Sequence, residues 1–125
     1  MILDTNALSA AADNDVAIAD SLAAAEELAI PVIVLGEYRF GISQSRHHQK
    51  YREWLDELIP DCKILDVNEG TTHHYAAINL ELRRAGTPIP TNDLWIAALG
   101  RQYSLPLLSR DRHFDLISGV QRIGW

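Results

Sequence analysis

The sequence predicts an α/β fold: a central, mostly parallel sheet flanked by helices on both faces. Three observations lead there. Short apolar runs of strand length alternate along the chain with stretches of helical periodicity. One run, Ile30-Pro31-Val32-Ile33-Val34-Leu35, is continuous and rich in β-branched residues, the pattern of a strand covered on both faces. Several acids stand just past the apolar runs, where an open parallel sheet gathers residues that are distant in sequence.

The elements follow in order. Residues 1–3 make a very short strand that ends on Asp4. Residues 15–29 place Ile18, Leu22, Ala25 and Ala29 on one helical face. The run at 30–35 is then the expected central strand. Residues 47–59 gather Tyr51, Leu55, Leu58 and Ile59 on a helix that stops at Pro60, and residues 62–67 form a weaker strand. Residues 71–85 stack Tyr75, Ile78 and Leu82, with Gly86 where a helix C-cap belongs. Thr87-Pro88-Ile89-Pro90 reads as an extended connector, after which Thr91 or Asn92 caps a helix running to about residue 103. Residues 105–108 and 120–123 are the last strands.

Length and composition bound the function. At 125 residues the chain is expected to fold as one domain, 1–125, and 47% hydrophobic with 22% charged residues excludes a disordered chain. The longest apolar stretch, 28–36, is too short to span a bilayer, and no basic, apolar leader opens the sequence. Cys62 is the only cysteine, so an intramolecular disulfide, a zinc quartet and a Cys-x-x-Cys pair are all excluded, and a reducing, cytoplasmic location is expected. The net charge of -6 runs against a nucleic-acid substrate. The charge is uneven, however: residues 1–35 carry six acids and no Lys or Arg, whereas residues 36–52 hold Arg39, Arg46, Lys50 and Arg52 with His47 and His48 against Glu37 alone.

Asp4, Glu37 and Asp111 each follow a predicted strand, and Asp93 opens a helix. Four carboxylates converging at one sheet edge repel one another unless a cation joins them, and Mg²⁺ or Mn²⁺ prefers such oxygen ligands. Each acid alone has a plainer explanation as a helix cap, first-turn or turn residue. Their conjunction is what points to a site.

At this point the sequence resembles a family. Leu3-Asp4-Thr5-Asn6-Ala7-Leu8-Ser9, Gly36-Glu37, Ile89-Pro90-Thr91-Asn92-Asp93-Leu94-Trp95-Ile96-Ala97-Ala98 and Ser109-Arg110-Asp111-Arg112-His113-Phe114 are similar to the four motifs of PIN domains, and among them to the VapC-type toxin ribonucleases. The resemblance covers nearly the whole chain. It implies a PIN-like fold, an Mg²⁺- or Mn²⁺-dependent endoribonuclease that hydrolyses RNA phosphodiesters with metal-activated water, homodimerisation, and inhibition by a cognate antitoxin protein. Asp4 and Asp93 are then the expected direct metal ligands, with Glu37 and Asp111 completing the site directly or through water. Asn6 and Ser109 are expected to orient those ligands from behind. Ser109 stands where the family often has Thr, which keeps the hydroxyl, and Thr91 where a small or acidic residue is common.

A receiver-like signalling domain is the main alternative, but Thr5 rather than an acid follows Asp4, and no Lys occurs after Lys63. An Asp-x-Asp phosphatase is opposed by Asn6, and a PIN-like module that only binds RNA or protein by the presence of all four acids. The pairs His47-His48 and His73-His74 point in different directions on a helix and are read as surface residues, while His113 is placed near the site by its position in the last motif. Trp54, Trp95 and Trp125 are read as packing residues, with Trp95 the one nearest an acid in sequence.

Overall fold

The computed structural model describes residues 1–125. The chain runs β1 (Ile2–Leu3), α1 (Thr5–Ala12), α2 (Val16–Ala24), β2 (Ala29–Pro31), α3 (Val32–Ser43), α4 (His48–Leu58), β3 (Lys63–Leu65), α5 (Glu69–Arg84), α6 (Thr91–Tyr103), β4 (Leu107–Leu108) and β5 (Arg122–Ile123), with single 3₁₀ turns at Ile59–Asp61 and Arg112–Leu116. The five strands form one parallel sheet in the order β3-β2-β1-β4-β5.

That order dictates where a site can form. The chain builds outward from β1 through β2 to β3, then crosses to the other side of β1 to lay down β4 and β5. Between β1 and β4 the winding reverses, and the loops leaving their carboxyl ends diverge to open a crevice. Leu3 pairs with Leu108, so Asp4 and Ser109 leave the sheet side by side. The order also separates this fold from the receiver alternative, whose sheet runs 2-1-3-4-5.

The strands are short because each needs only to anchor an apolar residue or two. Ile2, Leu3, Ile30, Leu107 and Leu108 are wholly buried, and Leu65 nearly so. Helix α6 lies among them: Ile96, Ala97, Ala98 and Leu99 are all inaccessible, as expected of a helix apolar around most of its circumference. It packs on α5, where Trp95 stacks on Tyr75 with ring centroids 4.1 Å apart. Helix α5 starts on a capping box between Asn68 and Thr71 and ends before Gly86, which takes a φ of +73°. The glycine predicted as a C-cap is thus one, because only glycine adopts that backbone without strain.

Several expectations are corrected. The helix expected over 15–29 is only Val16–Ala24, with Ala29 in β2, and Thr5–Ala12 forms a helix that the periodicity did not single out. The run at 30–35 is not a single strand: only Ala29–Pro31 pairs, and Val32 begins α3 with Pro31 at its N-cap. β-Branched residues suit either element when both are buried, and the fixed φ of proline suits a helix entry as well as a strand end. Nor is the resulting strand central, since β1 holds that place. Thr91 and Asn92 do not cap α6 either; its N-cap is Pro90, which makes no side-chain bond, and both residues already lie in the first turn.

The correction at α3 is testable. Gly36 is an exposed residue inside that helix, and a Cβ built on it meets nothing within 4 Å. Gly36→Ala should therefore stabilise the protein by roughly 0.5–1 kcal/mol, whereas Gly86→Ala, at positive φ, should cost about 1 kcal/mol or more. Urea unfolding of the two variants checks this, and a loss of stability on Gly36→Ala would speak against a helix there.

Candidate active site

Asp4 leaves β1 and is the N-cap of α1. Its Oδ1 accepts the Thr5 backbone N–H at 2.8 Å, and its Oδ2 accepts the Ser109 hydroxyl at 2.5 Å and the Asn6 amide at 3.2 Å. The plain reading as a cap is thus correct for one oxygen only. Ser109, fully buried after β4, also accepts from the Asn6 amide at 3.3 Å and from the Asp111 backbone N–H at 2.9 Å. With one bond donated and two accepted, its hydroxyl locks the β1 and β4 loops together across the reversal point. Asn6 completes the lock by accepting the Arg110 backbone N–H at 3.1 Å. Asn6 and Ser109 stand behind Asp4, and any role in orienting it follows from these bonds.

Asp111 caps the 3₁₀ turn at Arg112–Leu116 by accepting the His113 backbone N–H at 2.9 Å. That turn carries the His113 ring back over the crevice. Its Nδ1 lies 3.0 Å from Asp93 Oδ2, in the first turn of α6, and 3.1 Å from Asp111 Oδ1. The ligand atoms of Asp93, Asp111 and His113 all fall within 4.8 Å of one another. Asp4 borders this trio, and its charge and those of Asp93 and Asp111 are felt across it.

The electrostatics follow from that crowding. Burial pushes the Asp93 carboxyl up to about 6, opposed by the His113 hydrogen bond and reinforced by the negative charge of Asp111. Burial likewise raises Asp4, against the lowering effect of the Ser109 and Thr5 hydrogen bonds. His113 is raised in turn, first by its bond to Asp93. A protonatable ring set between two carboxylates is an internal counter-ion for them.

Comparison with known proteins fixes the lineage. Residues 1–120 match the PIN domain family. The chain is a PIN domain. It is 26% identical over 100 residues to Ribonuclease VapC5 of Mycobacterium tuberculosis, covering 78% of this chain and 74% of that one. It is 34% identical over 77 residues to Ribonuclease VapC2 of Rickettsia felis, covering 62% and 58%. A chain of the crystal structure of VapBC2 from Rickettsia felis, bound to a DNA fragment from its promoter, superposes with a TM-score of 0.86 at 26% identity, over 99% of this chain and 97% of that one.

Within this PIN domain the four acids are not equivalent. Asp93 and Asp111 form the cluster, Asp4 lies against it, and Glu37 stands apart. Glu37 is in the second turn of α3 rather than just past a strand, and it joins the others through Thr5, whose hydroxyl donates to it at 3.3 Å. Thr5 is a link that sequence reasoning missed, although its place next to Asp4 in the first motif was visible. His113 is in the expected neighbourhood with a closer involvement than its position alone indicated. Trp95 is committed to Tyr75, Trp54 lies tilted against Tyr38, and Trp125 lies under the Arg110 guanidinium, so all three are packing residues. The paired histidines at 47–48 and 73–74 belong to no metal-compatible cluster. No helix is long and apolar enough to cross a membrane.

A pH prediction follows. Asp93, Asp4 and His113 all have folded pKa values above their ordinary ones, so at the site the folded protein binds more protons than the unfolded chain does. Stability without added metal should therefore fall as pH rises, first through the Asp93 range from about 4 to about 6 and then through the raised His113 range. Asp93→Asn should flatten the first part of that fall and melt at or above the wild type at pH 7. Thermal melts in EDTA across pH 4–8 check this, and a wild type that gains stability through the same range would contradict the geometry.

Proposed function

We propose that this PIN domain is a metal-dependent endoribonuclease and the toxin of a toxin–antitoxin pair, using Mg²⁺ or Mn²⁺. The observation that carries the reading is the meeting of Asp93, Asp111 and Asp4 at the reversal point of the sheet, with Asp93 pushed up to about 6 by burial and crowding. The donor set fits a hard divalent ion: it is mostly carboxylate oxygen, and the ordinary charge of Asp93 is disfavoured until a cation is near. In place of the expected Asp4–Asp93 pair, the cluster favours Asp93 and Asp111 as the residues that would hold the ion, with Asp4 beside them and Glu37 reaching it directly or through water. When bound, such an ion acidifies a water for attack on phosphorus and neutralises charge on the phosphate. The chain's own contribution is positional. Ser109 and Asn6 keep Asp4 from turning away, and the N-terminal ends of α1 and α6 direct partial positive charge at the crevice. His113 holds Asp93 and Asp111 within one ring's width of each other.

The ribonuclease names of the VapC relatives and the likeness to the VapBC2 chain support the same reading. An antitoxin is the expected protein partner, setting an Arg or Lys against the acids. A homodimer is expected on the resemblance of the motifs.

Purified protein incubated with a panel of structured RNAs should cleave in Mg²⁺ or Mn²⁺ and not in EDTA. Asp93→Asn should abolish cleavage and leave the protein folded. Ser109→Ala should lose roughly 10–100-fold, the size of effect seen when the support of a metal ligand is removed. Unimpaired cleavage by Asp93→Asn would place the cleavage site elsewhere on the protein.

A further inference from the structure

The face formed by α3 and α4 carries two features that the acidic crevice does not use. The first is a recess of about 220 Å³ lined by Arg39, His48 and Arg52, with Ile42 and Ser43. Neither guanidinium has a carboxylate partner; the ion pairs of the protein involve Arg101, Arg110, Arg122 and His113. In a chain with seventeen acids and a net charge of -6, two exposed arginines sharing one recess without an acid form a local positive field against the general one.

The second is a cavity of about 290 Å³ between α1, α3 and α4, walled in part by Asp13, Glu37, Tyr38 and Tyr51. No Lys or Arg lines it. At about 30 Å³ per water it has room for a planar heterocycle rather than a lone solvent molecule. The Tyr51 hydroxyl donates to Asp13 at 2.7 Å. Tyr38 is 4% exposed, and its buried hydroxyl has no hydrogen-bond partner.

The two features are contiguous with each other and with the acids. Thr5, which adjoins Asp4, and Glu37, to which its hydroxyl donates, line the cavity, and Ile42 lines both cavity and recess. From Glu37 to Ile42 is about 7.5 Å along the helix axis, the scale of a single nucleotide. We propose that RNA leaves the acidic crevice along this face, with one nucleobase in the Tyr38–Tyr51 cavity and a neighbouring phosphate between Arg39 and Arg52. The proposal rests on the endoribonuclease reading and adds where the enzyme selects its base. The acceptors Asp13 and Glu37 favour a base that presents an exocyclic amino group, so adenine, cytosine or guanine is preferred there over uracil, whose edge sets a single ring N–H between two carbonyls. The arginines hold the strand whatever its sequence.

The test is equilibrium binding of short single-stranded RNAs, differing at one position, in EDTA and at several salt concentrations. Arg39→Gln combined with Arg52→Gln should weaken all of them alike, by about tenfold at low salt, and lower the slope of log affinity against log salt by about 0.7, one single-strand phosphate's worth. Asp13→Asn should leave that slope unchanged and reduce the preference against uracil, because an amide in place of the carboxylate can also donate to a carbonyl. In Mg²⁺ the double arginine variant should raise KM on long RNA and leave kcat unchanged, while a dinucleotide too short to reach the recess is cut equally by both proteins. Unchanged affinity and slope in the double variant would overturn the proposal, as would a loss confined to binding of an antitoxin protein. Binding as expected without any metal-dependent cleavage by the wild type would instead overturn the endoribonuclease reading and leave the RNA track standing.

Discussion

The arrangement of this protein turns on one contact, the hydrogen bond from the buried Ser109 hydroxyl to Asp4 across the ends of β1 and β4. Parallel strands that are neighbours at a reversal of winding send their following loops apart, and nothing in the sheet itself keeps those loops in register. Ser109 does so from one side and Asn6 from the other, each bonding to the opposite loop. Because Asp111 then leaves from a fixed point, its cap on the following 3₁₀ turn aims His113 at Asp93. The acidic cluster is thus a consequence of how two short strands end.

Such a cluster is held against its own electrostatics. The core supplies the means: Ile96 to Leu99 on α6 and the strand residues around them are sealed from solvent, which fixes Asp93 at the head of that helix. A carboxyl group raised by burial and by its neighbours is one that gains from a cation more than an exposed one does. The overall acidity of the chain, which argues against a nucleic-acid substrate when read as a sum, is reconciled by placement. The acids that oppose a phosphate are the ones suited to gather a divalent ion, and unpaired arginines occupy the adjoining face.

The parallel sheet, four of the six helices and the neighbourhood of Asp4, Asp93 and Asp111 were legible in the sequence because alternating periodicities and acids at element ends are local signals. Gly86 was legible for the same reason, since a left-handed C-cap has a residue preference of its own. The start of α3 was not. Val32, Ile33 and Val34 satisfy a buried strand and a buried helix equally, and the deciding fact, that only Ala29–Pro31 finds a partner in β3, is a tertiary one. The misplaced boundary carried Glu37 with it, from a strand end to the second turn of a helix. The ring of His113 closing on two carboxylates depends on a turn geometry that no residue spacing specifies.

The site depends on Asp93 being a carboxyl group raised by its surroundings and relieved by a cation. Carbon-13 NMR titration of the aspartate carboxyl groups, assigned with the Asp93→Asn variant, reads this without reference to any substrate. In EDTA the Asp93 signal should titrate near 6, and saturating Mg²⁺ should move its midpoint down into or below the usual carboxylate range. An Asp93 that titrates near the usual 3.8 in EDTA, with no response to Mg²⁺, would contradict the account.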